Sequence, residues 1–201
     1  MKKVKNKGKA RAVLIMLACM ALSVPLGMHT TLARADDAAL EAFYNAGTYD
    51  TLVADVQLTE NILRNSKVLL SDLAEYKDIA SLQLAQQEME EAYRRYESSL
   101  SKKAAGRSGA QDLVQAYNTF SGAVLRWLDA ADTAIANVNG EFSTYETFRD
   151  KFRANHNAVL YGSYNAEAGA YNLYFEEPAV RVLQGISFTK PLLLFREPSV
   201  E

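Results

Sequence analysis

Large apolar residues recur along this chain at intervals of three and four, or their sum of seven, the spacing that puts them on one face of an α-helix. From Thr51 the set Leu52, Val56, Leu63, Leu70, Leu73 and Tyr76 predicts a helix to about Asp78. Leu82, Ala85, Met89, Ala92, Tyr96 and Leu100 predict a second, with Glu88, Glu90, Glu91, Arg94, Arg95 and Glu97 between them. The join at 78–81 is a turn or a kink. Lys102 to Gly109 (KKAAGRSG), with two glycines and no large apolar residue, reads as a linker. Leu113, Tyr117, Phe120, Val124, Trp127, Ala131, Ile135 and Val138 predict a third helix, closed by the turn-type run Asn137 to Gly140. Phe142, Tyr145, Phe148, Phe152, Val159, Ala166 and Leu173 begin and carry the last and longest one. Pro178 or the residues just before it must end that helix, because proline lacks the N–H and clashes with the preceding turn. Ahead of all of these, Asp36 to Ala46 is helix-permissive, and Gly47 is the candidate stop.

Four long amphipathic segments with short connections predict an all-α fold, an elongated antiparallel helical bundle. The tail 179–201 holds Gly185, Pro191 and Pro198 around two apolar clusters, Ile186 with Phe188 and Leu192 to Phe195, so it is not one regular helix. Four large apolar residues in a row near a terminus should leave water. The tail is therefore expected to dock on the bundle through Phe188, Leu193 and Phe195, each contributing about 1.5–3 kcal/mol if fully buried.

The stretch Ala154 to Phe175 (ANHNAVLYGSYNAEAGAYNLYF) has a single formal charge, Glu167. A helix so short of charge is normally covered on several sides, which makes this the expected centre of the bundle. Ala154, Ala158, Gly162, Ala166 and Ala170 fall at every fourth position and would form a continuous small-residue ridge for close helix packing. Tyr164-Asn165 and Tyr171-Asn172 repeat at a spacing of seven. Tyr161, Tyr164, Tyr171 and Tyr174, with Leu193 and Phe195 of the tail, form the candidate interaction surface, since tyrosine offers apolar area with a polar tip.

Charge and the first residues change the picture of where the chain works. Lys2, Lys3, Lys5, Lys7, Lys9 and Arg11 precede the apolar run Ala12 to Met28, and Ala33-Arg34-Ala35 follows it. That is the layout of a secretory signal peptide over 1–35, cut before Asp36. Two other readings remain, an uncleaved N-terminal anchor and lipidation at Cys19. The domain 36–201 carries 15 basic against 24 acidic residues, which disfavours nucleic acid and anionic membrane surfaces as partners. The only cysteine, Cys19, lies in the leader, so this domain has neither disulfide nor thiol chemistry.

Catalytic patterns fail on their spacing. A di-metal bundle site wants Glu-x-x-His pairs, and the one histidine after the leader, His156, has Arg153 three residues before it. Gly106-Arg107-Ser108-Gly109 matches neither a nucleophile elbow nor a phosphate loop. The acids of Glu88 to Glu97 belong to a solvated helix face. No catalytic residue, metal ligand or cofactor is expected; His156 is expected to cap or hydrogen-bond within the bundle.

The doubled Tyr-Asn of the last helix, Pro178, Gly185, Phe188, Pro191 and Phe195 resemble the C-terminal end of the LemA family. Tyr44-Asn45 followed by Leu52-Val53, and Asn155 ten residues before Asn165, are similar to that family as well. The resemblance covers 44–196 and is most specific over 142–196. Val56 to Asn65 (VQLTENILRN) stands where the family usually carries a basic segment, and Tyr161-Gly162-Ser163 where it carries an arginine-rich run. The resemblance implies a helical, membrane-associated or envelope protein of bacteria without an established catalytic activity. The expected function is non-enzymatic, through contact with an envelope protein partner and with the membrane as a further contact. The alternatives are a binding module for an apolar or membrane-derived ligand, and an enzyme.

The mature N-terminus should be Asp36, which intact-mass measurement on protein from the native host checks. A full-length mass in the membrane fraction would make the leader an anchor instead, and a diacylated fragment starting at Cys19 would make it a lipoprotein signal.

Overall fold

The computed structural model describes residues 33–74, 79–102, 106–136, 138–176 and 190–197. The leader before residue 33, Cys19 and the anchor expected at Phe188 lie outside the described residues. Among the described residues every regular element is helical. Helix α1 covers residues 33–45. It is followed by α2 (Thr48–Ala74), α3 (Ala80–Ser101), α4 (Gly106–Ile135), α5 (Ser143–Leu160) and α6 (Ser163–Leu173), with a 3-10 turn over Tyr174–Glu176. Gly47 separates α1 from α2 at φ 83°, a left-handed conformation that glycine adopts without steric cost. The expected linker 102–109 is shorter than its composition suggested, since helix resumes at Gly106 and Gly109 is already buried.

The three-four spacing becomes contact along α2 to α5. Tyr96 donates to the Leu52 carbonyl at 2.9 Å and Gln86 to the Ser66 hydroxyl, so α2 and α3 run antiparallel. Trp127 donates to Gln86 at 3.0 Å while Tyr96 stacks on Phe120 at 4.6 Å, which sets α3 against α4 in the same sense. Tyr145 donates to the Leu128 carbonyl at 2.9 Å and Phe120 meets Phe152 at 5.9 Å, so α5 returns along α4. Asn155 reaches Asp55 at 2.7 Å, and Ile62 lines one cleft with Thr144 and Phe148, which brings α5 beside α2. The polar tips of buried Tyr96, Trp127 and Tyr145 thus each find a partner, as the low dielectric of a core demands.

The centre is α4 rather than the charge-poor stretch. Its buried face runs from Gly109 to Ala134 and includes Tyr117, Phe120 and Trp127. The expected single helix over 142–173 is divided at Tyr161–Gly162, a Gly-Ser site of the kind where helices kink. Gly162 is extended (φ −75°, ψ 170°) and serves as the N-cap of α6. Ala154, Ala158, Ala166 and Ala170 are exposed and Gly162 half-buried, so the small residues form no continuous packing ridge. Alanine and asparagine can face water at little cost, so the scarcity of charge did not require cover. Gly162 is small for a local reason: a Cβ there would sit 2.6 Å from the Ala158 carbonyl oxygen.

Gly162→Ala should therefore destabilise the protein by about 1–3 kcal/mol, the usual range for forced overpacking. Ala158→Leu, on the exposed side of α5, should stay within about 0.5 kcal/mol of wild type. Urea titration measures both, and a large loss at Ala158 would restore the ridge as a contact.

Candidate functional site

Residues 190–197 lie extended, with no regular secondary structure, across α4 and α6. An extended chain on a protein surface presents main-chain donors and acceptors that must be paired as water leaves. Side chains do that pairing here. Asn172 accepts from the Leu192 N–H at 2.7 Å and donates to the Leu192 carbonyl at 2.8 Å. Asn165 does the same for Phe195, at 2.9 and 2.8 Å. From α4, Asn118 donates to the Leu194 carbonyl at 2.9 Å and accepts from the Arg196 N–H at 3.2 Å. Gln111 accepts from the Leu193 N–H, and Tyr164 donates to the Leu193 carbonyl at 2.7 Å. Arg107 donates to the Lys190 carbonyl, with the Tyr171 hydroxyl at 3.5 Å from the same oxygen.

The amides come in pairs seven residues apart, Asn165 with Asn172 on α6 and Gln111 with Asn118 on α4. Seven helical residues rise about 10.5 Å at roughly 1.5 Å each, and three extended residues cover about 10 Å. Asn172 and Asn165 therefore meet Leu192 and Phe195, three apart, without distorting helix or segment. The segment runs antiparallel to α6 and parallel to α4. Asn165 has a second task, donating at 2.8 Å to the Leu160 carbonyl left open where α5 ends.

Two side chains of the segment are buried, Leu192 and Phe195. The Phe195 ring meets Tyr164 at 5.3 Å, Tyr117 at 5.4 Å and Phe43 of α1 at 6.3 Å. Arg107 anchors the other end: it pairs with Asp36 at 2.6 Å and lies 5.1 Å over the Tyr171 ring. Beside the segment lies an open cleft of about 740 Å³, lined in part by Thr119, Arg126 and Leu193.

The candidate surface is thus rearranged. Tyr161 is exposed and Tyr174 half-buried, but Tyr164, Tyr171 and Phe195 are buried, so the six residues form no single outer face. Leu193, an expected anchor, is 44 % exposed, whereas Leu192 is 3 % exposed and is the anchor in its place. The asparagines of the two Tyr-Asn repeats were the informative half, and the repeat at seven was the signal for them. Asn118 and Gln111 share that interval but lacked a repeated neighbour to mark it.

Beneath Phe195 lies a buried polar cluster. Asp55, 0 % exposed, accepts hydrogen bonds from Tyr117 at 3.0 Å and Asn155 at 2.7 Å. Burial outweighs both bonds and pushes its carboxyl up to about 7. The buried His156 ring stacks on Phe152 at 6.3 Å and places Nδ1 3.4 Å from the Tyr117 hydroxyl. Its Nε2 lies 3.7 Å from Glu197 of the tail, beyond a hydrogen bond, and burial lowers its pKa. Among the described residues no group of three or more His, Cys, Asp or Glu is arranged to hold a metal ion. Nor is any described helix long and apolar enough to cross a membrane.

No family model, no curated protein and no solved structure matches this chain.

Asn165→Ala strips partners from one main-chain N–H and two carbonyls, that of Leu160 included, and Asn172→Ala from one N–H and one carbonyl; each should cost about 1–3 kcal/mol. Hydrogen exchange should quicken locally, at the Phe195 amide for the first and the Leu192 amide for the second. Unchanged exchange would mean that the amides do not hold the segment.

The unfolded Asp55 carboxyl ionises near 3.8 and the folded one near 7, so its contribution is full below about pH 4 and lost as pH rises through about 7. His156, lowered by burial, acts oppositely and loses stability as pH falls below about 6.5. Asp55→Asn removes the first effect alone. Relative to wild type it should gain a few kcal/mol, as an order of magnitude, between about pH 4 and about pH 7. Guanidinium titrations across that window measure the difference; a constant one would mean an ordinary carboxyl.

Proposed function

We propose that this is a non-enzymatic, LemA-like helical protein that works through protein–protein contact at the bacterial cell envelope. The observation that carries this reading is a set of side-chain amides holding an extended polypeptide by its main chain. Such groups recognise peptide rather than a small molecule, and chemistry on a substrate has no part in them. The residues that resemble the LemA family support it too, because Tyr164-Asn165 and Tyr171-Asn172 build the peptide-holding site. The basic start, apolar run and Ala33-Arg34-Ala35 support export, with the chain released after cleavage or retained by its leader. A module for an apolar or membrane-derived ligand is the second reading, favoured by the aromatic floor of Phe43, Tyr117 and Tyr164 under Phe195.

Site-specific photo-crosslinking in intact cells tests the first reading. A photoreactive residue at exposed Leu193, beside the ladder, should capture an envelope protein, and one at exposed Leu84 on α3 should not. Equal capture at both positions, or recovery of the chain from the cytosol with its leader intact, would overturn it.

A further inference from the structure

We propose that the amide ladder is also a self-recognition site, in which segment 190–197 of a second copy docks in place of the resident one. This rests on the reading of the ladder as a site for polypeptide, and it names the partner as another copy of this chain.

The recognising groups are Asn118, Asn165, Asn172, Gln111, Tyr164 and Arg107, and their bonds to the segment go to main-chain atoms. The only side chains the segment buries are Leu192 and Phe195. A second copy brings the same backbone, leucine and phenylalanine at the same spacing, so every contact made within one chain is available between two. The fit of this occupant is on display, whereas any other peptide would have to reproduce it.

Exchange also leaves the helices intact. Residues 190–197 belong to no helix, and α2 to α5 pair with one another independently of them. Undocking exposes the Phe43, Tyr117 and Tyr164 rings to water, so the groove favours being filled, by one tail or another. Thirteen residues join Glu176 to Lys190, a covalent reach of about 45 Å at roughly 3.5 Å each, enough to bridge to an adjoining molecule. Reciprocal exchange of one identical segment closes at two copies, a low-cost route to a symmetric dimer. Tethering gives the resident tail an effective concentration on the order of millimolar, so dilute chains keep their own tails and crowded ones trade them.

Two complementary full-length variants test this. Leu192→Asp with Phe195→Asp spoils the tail and leaves the ladder. Asn118→Leu with Asn172→Leu spoils the ladder at amides that bond only the segment among the described residues. Each variant alone should show single-chain mass by light scattering, and their mixture a one-to-one complex of twice that mass. A mixture that stays at single-chain mass, with both variants helical by circular dichroism, overturns the proposal. If a variant fails to fold, two differently tagged wild-type populations decide. Held together at about 1 mM, diluted and captured through one tag, they should bring down the other. Absence of co-capture overturns the proposal. Should tail exchange fail while Leu193 still crosslinks a different envelope protein, this inference falls and the proposed function stands.

Discussion

A polypeptide laid on a helical surface cannot complete its own hydrogen bonds, and a helix has no spare main-chain groups to offer it. The docked tail therefore depends on side-chain amides, neutral groups that carry a donor and an acceptor side by side in one plane. Their placement follows from a numerical coincidence of polymer geometry. Seven residues of helix and three of extended chain cover nearly the same distance, about 10 Å. Asn165 and Asn172 on one side and Gln111 and Asn118 on the other use that match, gripping both edges of one segment.

The ladder is coupled to the core by contact. Phe195 rests on Tyr117, whose hydroxyl donates to the buried Asp55 and lies within 3.4 Å of His156. Both protonation states of Asp55 are accommodated by the same hydroxyl. An ionised carboxyl accepts from Tyr117; a protonated one donates to it, freeing the Tyr117 proton for His156. The cluster spans α2, α4 and α5 and touches the tail through Glu197, so core packing and tail position meet at one place. Such a site is a tether between elements.

The regular positions were legible because helix periodicity is local. Leu82 to Tyr96 and Leu113 to Ala131 alternate by three and four, and the structure buries Leu82, Met89, Tyr96, Leu113, Tyr117, Phe120, Val124 and Trp127 accordingly. Gly47 stopped a helix because its φ is positive, a property of one residue. The candidate site was legible only in outline. The Tyr-Asn interval points to α6, yet aromatic area favours its tyrosines over its asparagines, and the run Leu192 to Leu194 does not mark which leucine is buried. Which of two adjacent leucines turns inward depends on the twist of an extended chain against a surface that its own sequence does not contain.

By itself, then, the sequence determined the helical class, most helix boundaries and the docking of an apolar tail, all consequences of spacing and of transfer from water. Tertiary structure alone decided that α4 is the centre, because centrality counts neighbours rather than charges. It decided that the last helix divides at Gly162, where a Cβ would collide with the carbonyl of Ala158. It also decided that asparagines on two helices face a common line, since hydrogen bonds between residues 118 and 194 or 165 and 195 exist only after the chain has folded back on itself.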